Sequence, residues 1–364
     1  MSRISGIGQR LYNGQSSIDF VGKKKTWYII SACILIVAIG SLLFRGLNLG
    51  IEFRGGADFS IPSATCSVEQ ARTVAEAKTG AQAIVTVTGN GTVRVQTEPI
   101  TTAQSADVAK ALSATCGVGV DQIKIQVVGP TWGSEISKKA LQGLIVFIIL
   151  VGVFMSIYFE WRMAVAGLIA LAHDLIITVG LYSLFGLEVT PATVIGILTI
   201  LGYSLYDTVV VFDKVKENTT NISGQSVLTY SEAANLAVNQ TLVRSINTSI
   251  VALLPVLAII IVGAGLLGAG TLLDLAVALA IGMAAGAYSS IFVATPFLVQ
   301  LKEKQPSMIA LTKRVHARRV QAAKKAGDEG EEAVDANGHA ITTMVDAGVR
   351  QQPKKLPRSK RPKK

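Results

Sequence analysis

The chain has 364 residues, of which 50% are hydrophobic, and its mean hydropathy is +0.48. These values exclude an ordinary soluble domain and indicate a protein that crosses a membrane several times. The net charge of +10 is concentrated near the end, because residues 302–364 contain 16 Lys and Arg against 7 Asp and Glu. This basic tail suits anionic lipid headgroups or ribosomal RNA, although topology retention and solubility explain it equally well.

Apolar segments long enough to cross the hydrocarbon layer as helices follow a basic N-terminal arm. They cover residues 27–47, 140–159, 163–186, 190–212, 248–268 and 272–299. The last has Gly282 and Gly286 at the small-xxx-small spacing that lets two helices approach closely. The predicted organisation is a cytoplasmic arm (1–26), a first membrane helix (27–49), an extracytoplasmic α+β domain (50–138), membrane helices two to six (139–301) and a basic, largely disordered cytoplasmic tail (302–364).

Basic residues at the ends of the apolar segments predict the orientation in the membrane. The lysines at 23–25 precede the first segment, and Arg162 and Arg244 lie in connections on the same side as the tail. The turns at 187–189 and 269–271, on the opposite side, contain no Lys or Arg. We therefore expect a multi-pass protein of the cytoplasmic (cell) membrane with both termini in the cytoplasm.

The polar insert between the first two apolar segments alternates between strand and helix patterns. Strands are predicted at 58–61, 83–88, 92–97 and 122–128, and helices at 67–78 and 102–115. Ser67 with Gln70 three residues later is the signature of a helix start, and the Gly-Asn-Gly at 89–91 indicates a hairpin. The order β-α-β-β-α-β predicts a ferredoxin-like arrangement.

Two of the three cysteines, Cys66 and Cys116, fall in this insert. Cys66 follows the first strand and Cys116 ends the second helix, and in a ferredoxin-like order both positions lie at one edge. Because an extracytoplasmic compartment permits disulfides, we expect a Cys66–Cys116 bridge, with two buried free thiols as the alternative. Cys33, in the first apolar segment, is predicted to serve packing.

The connection between the fourth and fifth segments contains an amphipathic pattern. Residues 231–244 have apolar positions on one helical face. The sequence predicts a separate helix that lies along the cytoplasmic surface of the membrane.

Asp207 is a carboxylate at membrane depth, since it stands before a Val-Val-Val-Phe run in the fourth segment. Such a group is costly and by default indicates function, although a helix cap or interfacial anchor remains an alternative. Arg244 is a candidate cation for it, and protonation of Asp207 would release that pairing. His173 and Asp174 form a second polar pair and are further candidates for a proton relay, although a purely structural role in the bundle interior explains them equally well.

The sequence gives little support to ATP hydrolysis, to other enzyme activity or to metal binding. The sequence has no Gly-rich loop followed by Lys-Ser/Thr, so we do not expect it to hydrolyse ATP. We expect no enzyme activity, no metal site and no cofactor. For the carboxylate at membrane depth we expect H⁺ as the coupling ion, with Na⁺ as the alternative.

Four motifs identify a family. They are residues 50–56 (Gly-Ile-Glu-Phe-Arg-Gly-Gly), 172–174 (Ala-His-Asp), 202–218 (starting Gly-Tyr-Ser-Leu-Tyr-Asp) and 244–248 (Arg-Ser-Ile-Asn-Thr). Through them the chain resembles the SecF family, the smaller subunits of bacterial SecDF complexes. The family commonly has Asp at the position of Glu52 and Asn at that of Tyr206.

The resemblance implies a polytopic α-helical protein with one six-helix half-unit of the RND superfamily, paired with SecD. It implies use of the proton-motive force in late steps of preprotein export through SecYEG after SecA has acted, with YajC as a further partner. By the same comparison Asp207 and Arg244 match proton-relay positions. The motif that joins the first span to the outer domain corresponds to Gly50, Glu52, Arg54, Gly55 and Gly56.

Two rival hypotheses remain at the level of the sequence. One is a stand-alone RND exporter of lipids or small molecules, although such exporters usually have about twelve spans and two large outer loops. The other is a scaffold of the export channel that conducts no ions.

Overall fold

The computed structural model describes residues 10, 17–62, 65–87, 91–262 and 270–328. Six of its helices are long and apolar enough to cross a membrane, which together with the inserted α+β domain confirms the predicted fold class. The membrane helices are α1 (Lys24–Arg45), α5 (Pro130–Tyr158), α6 (Trp161–Phe185), α7 (Pro191–Thr219), α8 (Tyr230–Val262) and α9 (Gly270–Ser289), the last continuing through a π-helical turn (Ser290–Ala294) into α10 (Thr295–Glu303). The inserted domain follows α1 in the order β1 (Asn48–Leu49), α2 (Ile51–Arg54), β2 (Gly56–Ile61), α3 (Val68–Thr79), β3 (Ala83–Val87), β4 (Val93–Thr97), α4 (Thr102–Cys116) and β5 (Lys124–Val128), while β6 (Glu188–Val189) lies between α6 and α7.

Small residues bring α7 and α9 into close contact. A Cβ atom placed on Gly282 would lie 2.3 Å from the Ile200 side chain, and one on Gly286 would lie 2.8 Å from the Ser204 Cβ. The predicted small-xxx-small spacing therefore marks a real helix contact, because only glycine leaves room for the facing side chains. This contact fixes the distance between α7 and α9 at the level of the polar residues described below.

The inserted domain is ferredoxin-like, as predicted. Its four-stranded sheet has the order β3-β4-β2-β5 with antiparallel neighbours. Ser67 and Gln70 form the expected capping box at the start of α3. Helices α3 and α4 cover one face of the sheet, where Phe59 and Val95 are fully buried. The opposite face holds the alternate residues of each strand, since successive side chains point to opposite faces.

A disulfide joins Cys66 to Cys116, with Cα atoms 4.5 Å apart. It links the segment after β2 to the end of α4. The main-chain N–H of Thr65 donates to the Cys116 carbonyl at 3.2 Å, and its hydroxyl donates to the same oxygen at 2.9 Å. The two segments are thus held together by hydrogen bonds as well as by the covalent link.

The expectation of a separate surface helix at residues 231–244 is wrong. This segment is the first part of the continuous helix α8, and its apolar residues Ala234, Ala237 and Val238 are fully buried in protein. The same helix binds the N-terminal arm, because Asn235 accepts hydrogen bonds from the main-chain N–H groups of residues 20 and 21. The apolar face that suggested a membrane surface therefore packs against the rest of the chain.

Beyond α10 the chain continues as helix α11 (Pro306–Asp328). The first part of the basic segment that was expected to be largely disordered is thus helical. The predictions for residues 329–364 and for most of the N-terminal arm lie outside the described residues, as do residues 89 and 90 of the predicted hairpin turn at 89–91.

Candidate ion-coupling site in the helix bundle

Asp207 lies on α7 inside the bundle and is 4% exposed. Its carboxylate accepts one hydrogen bond from Ser245 on α8, at 2.7 Å, and another from Ser290 at the start of the π-helical turn. Three separate elements therefore converge on this carboxylate. A buried carboxylate needs such donors, because burial without them carries a large desolvation cost.

Asp174 forms a second site of the same kind on α6 and is 1% exposed. It accepts hydrogen bonds from Ser204 on α7 and from Ser289, the latter at 2.7 Å. The ring Nδ1 of His173 lies 3.1 Å from the other carboxylate oxygen. Among the described residues, the buried Nε2 of this histidine has no hydrogen-bond partner.

Two consecutive serines connect the two carboxylates. Ser289 ends α9 and binds Asp174, whereas Ser290 begins the π-helical turn and binds Asp207. Neighbouring residues of a regular helix differ by about 100° in direction, so one helix can offer adjacent side chains to two different helices. Single π-helical turns of this kind occur frequently at functional sites.

The proposed pairing of Asp207 with Arg244 is absent from the structure. Arg244 is exposed and donates to the hydroxyl of Tyr206 at 3.3 Å, and Tyr206 itself is 50% exposed. The reason is the rotation of the two helices: Asp207 and Ser245 face the interior, while the residue before each of them faces outward. The structure thus brings His173 close to Asp174 and places Arg244 on the surface of this chain.

An aromatic cluster links the π-helical turn to the N-terminal end of α1. The ring of Phe292 lies 4.2 Å from that of Trp27, 5.5 Å from that of Phe20 and 5.0 Å from that of Tyr288. Tyr288 in turn stacks on His173 at 6.1 Å. Packed rings therefore connect the π-helical turn to α1 on one side and to His173 on the other.

The motif at residues 50–56 forms the junction between α1 and the inserted domain. Strand β1 pairs with β6 in parallel, and the main-chain N–H of Gly50 donates to the Val189 carbonyl at 2.9 Å. Gly55 and Gly56 have φ values of 78° and 145°, which disfavour any side chain. A Cβ on Gly56 would also lie 2.3 Å from the Thr97 carbonyl. Glycine is therefore required where the chain turns from the bundle into the sheet.

The charged residues of this motif have different surroundings. One carboxylate oxygen of Glu52 accepts from Gln126 at 3.3 Å, and within the described chain its other oxygen is buried without a partner. Arg54 donates to the Leu47 carbonyl at 3.3 Å. Both side chains therefore belong to the junction, where Glu52 also interacts electrostatically with Asp274 on α9.

Sequence reasoning missed the serines of the site. Ser204 and Ser245 lie in the motifs at residues 202–218 and 244–248, but the sequence could not show that their hydroxyls face a carboxylate. Ser289 and Ser290 were not singled out, although a pair of hydroxyl groups in an apolar segment was an available signal.

The serine hydroxyls around the two carboxylates can form hydrogen bonds in either direction. A serine hydroxyl has one hydrogen to donate and lone pairs that accept. Each serine can therefore donate to an ionised carboxylate or, after turning, accept from a protonated one.

Two protein-family models match the chain. The model described as "Protein export membrane protein SecD/SecF, C-terminal" matches residues 108–304, and the model "SecD/SecF GG Motif" matches residues 40–58. The second match covers the whole of the junction motif at residues 50–56.

Individual relatives agree with these matches. The chain is 50% identical to the protein translocase subunit SecF of Streptomyces coelicolor over 359 residues, which cover 97% of this chain and 96% of the relative. It is 41% identical to SecF of Mycobacterium tuberculosis over 370 residues, covering 97% and 84% of the two chains. The crystal structure of SecDF from Thermus thermophilus, described as a translocon-associated membrane protein, is similar with a TM-score of 0.71 at 30% identity. That match covers 79% of this chain and 39% of the Thermus chain.

Proposed function

Because the chain belongs to the SecF family of protein translocase subunits, we propose that it is an accessory subunit of the Sec export translocase that couples ion flow to export. In this proposal it acts together with SecD and uses the proton-motive force to assist late steps of preprotein translocation, after the ATP-driven action of SecA. It is a coupling subunit and not an enzyme.

The observation that supports this proposal best is the hydroxyl-lined pair of carboxylates in the bundle. Asp207 and Asp174 are buried on neighbouring helices, and each accepts hydrogen bonds from two serines. Buried carboxylates in a membrane bundle are costly and are typical of proton pathways. The serines favour H⁺ as the coupling ion, because their hydroxyls can satisfy either protonation state.

SecD is the proposed partner that completes the ion pathway. The match to Thermus SecDF spans 39% of that longer chain, and in this proposal SecD supplies the part that lies outside the match. Arg244 and Tyr206 lie exposed on the surface of this chain, next to the buried Asp207. In the proposed heterodimer this surface faces SecD, and Arg244 enters the relay from there.

The remaining assignments follow from the same proposal. The protein lies in the cytoplasmic membrane with both termini in the cytoplasm, and the inserted domain is extracytoplasmic, where the Cys66–Cys116 disulfide is stable. SecYEG, SecA and YajC are its further partners, the translocating preprotein is its cargo, and the basic tail binds anionic lipids.

The decisive experiment compares Asp207→Asn with Asp213→Asn in proteoliposomes that contain SecD, SecYEG and SecA. Asp213 lies on the same helix but is exposed, so its substitution is a matched control. We expect a proton gradient to accelerate export in the control and in the wild type, and this acceleration to be lost in Asp207→Asn. ATP-driven export without a gradient should be equal in all three. If Asp207→Asn keeps the full acceleration, the coupling proposal is wrong and the subunit is a scaffold.

A further inference from the structure

An ion-pair cluster fastens the inserted domain to the helix bundle. Arg94 on β4 donates to Glu188 on β6 and also to Asp58 on β2. Gln96 on β4 donates to Glu188 at 2.8 Å and to Asp58 at 3.4 Å. One cation and one amide thus connect a strand of the bundle to two strands of the domain.

The register of the sheet explains why these residues meet. Asp58 pairs with Gln96, and Ser60 pairs with Arg94, so Asp58, Arg94 and Gln96 share one face. Helices α3 and α4 cover the opposite face. The shared polar face is therefore left to contact the bundle, and through Arg94 and Gln96 it reaches Glu188.

The cluster is shielded from water and is rich in negative charge. The side chains of Asp58, Glu188 and Arg94 are 8%, 16% and 30% exposed. Burial raises the pKa of Asp58, and the Arg94 guanidinium opposes that effect. Asp274 on α9 interacts electrostatically with the same Glu188 and Arg94, so several carboxylates face one guanidinium. Removal of Arg94 would leave these acids without their cation.

The position of Glu188 connects this contact to the two helices that carry the buried carboxylates. Glu188 lies in the short turn between α6, which holds Asp174, and α7, which holds Asp207. Its strand also pairs with β1, which continues α1 into the domain. A relative movement of α6 and α7 therefore displaces Glu188 and, through Arg94, the sheet of the inserted domain.

We propose that Arg94 and Glu188 are positioning residues that transmit movement of the two carboxylate-bearing helices to the inserted domain. This inference rests on the proposed function, because the movement that is transmitted is the one that ion uptake causes. The contact between Arg94 and Glu188, called the tie below, joins the sheet of the inserted domain to the turn between α6 and α7 within one chain.

The test uses Arg94→Met, Glu188→Gln and the double variant in the complete complex with SecD. Lys124→Met is the matched control, because Lys124 is an exposed cation on the same sheet face, paired with Ser60. Hydrogen exchange at residues 48–50 and 187–189, without a gradient, reports whether the domain stays tied to the turn. Each single change should accelerate this exchange by about tenfold, and the double change should have less than the combined effect of the two, since both remove the shared Arg94–Glu188 ion pair.

Export assays then separate a coupling role from a structural one. We expect Arg94→Met and Glu188→Gln to lose most of the gradient-driven acceleration while export driven by ATP alone is unchanged. The inference is overturned if exchange in Arg94→Met equals that of the control, if the two single effects add fully, or if exchange rises but the acceleration persists. Asp207→Asn tests the underlying function separately, because it removes the acceleration without loosening the tie. If Asp207→Asn keeps the gradient-driven acceleration of export, the proposed function fails. If only Arg94→Met keeps it, this inference alone is refuted.

Discussion

Removal of the disulfide in the inserted domain should destabilise that domain strongly. The change is the double substitution Cys66→Ala and Cys116→Ala. The two cysteines are separated by 50 residues, and closure of a loop of that length corresponds to about 4 kcal/mol of stability in the chain-entropy treatment. The hydrogen bonds from Thr65 to the Cys116 carbonyl remain possible, because they use the backbone of residue 116. The loss should therefore come mainly from a less restricted unfolded chain.

The measurement is urea titration of the full-length protein in mild detergent, followed by a short protease pulse that cuts only the unfolded domain. For a domain of this size the urea dependence is about 1–2 kcal/mol per molar, so 4 kcal/mol lowers the midpoint by about 2–4 M. Cys33→Ser is the control, since Cys33 is an exposed free cysteine in α1. Its midpoint should equal that of the wild type. A double variant whose midpoint stays within about 0.5 M of the wild type would show that the disulfide does not restrict the unfolded chain as argued.

Two further predictions concern the bundle. Gly282→Leu should separate α7 from α9 and lower the thermal unfolding temperature in detergent, because even a Cβ there lies 2.3 Å from Ile200. Gly40→Leu, where a Cβ meets nothing within 4 Å, should leave that temperature nearly unchanged, and equal shifts would contradict the packing argument. Ser290→Ala removes one of the two serine donors to Asp207 and should cost about 1–3 kcal/mol of stability. It should also reduce gradient-driven export, and normal stability together with normal export would exclude Ser290 from the site.

The order of helices and strands could be predicted because the sequence patterns that mark each element are local. Hydropathy over about 20 residues identified the spans, and side-chain alternation identified the strands. Ser67 and Gln70 marked the start of a helix through contacts three residues apart. The failure at residues 231–244 has the same origin: an amphipathic face indicates burial, but the pattern does not say whether lipid or protein covers it.

The long motif around Asp207 and the glycines at 50–56 could be identified from the sequence alone. The same holds for the position of Asp174 and Asp207 at the depth of the bundle. The sequence could not decide which neighbour faces Asp207, because a difference of one residue turns a side chain by about 100°. Only packing placed Ser245 against that carboxylate and Arg244 on the surface. The tie from Arg94 to Glu188 joins residues 94 positions apart, so it exists only once the sheet and the bundle have docked.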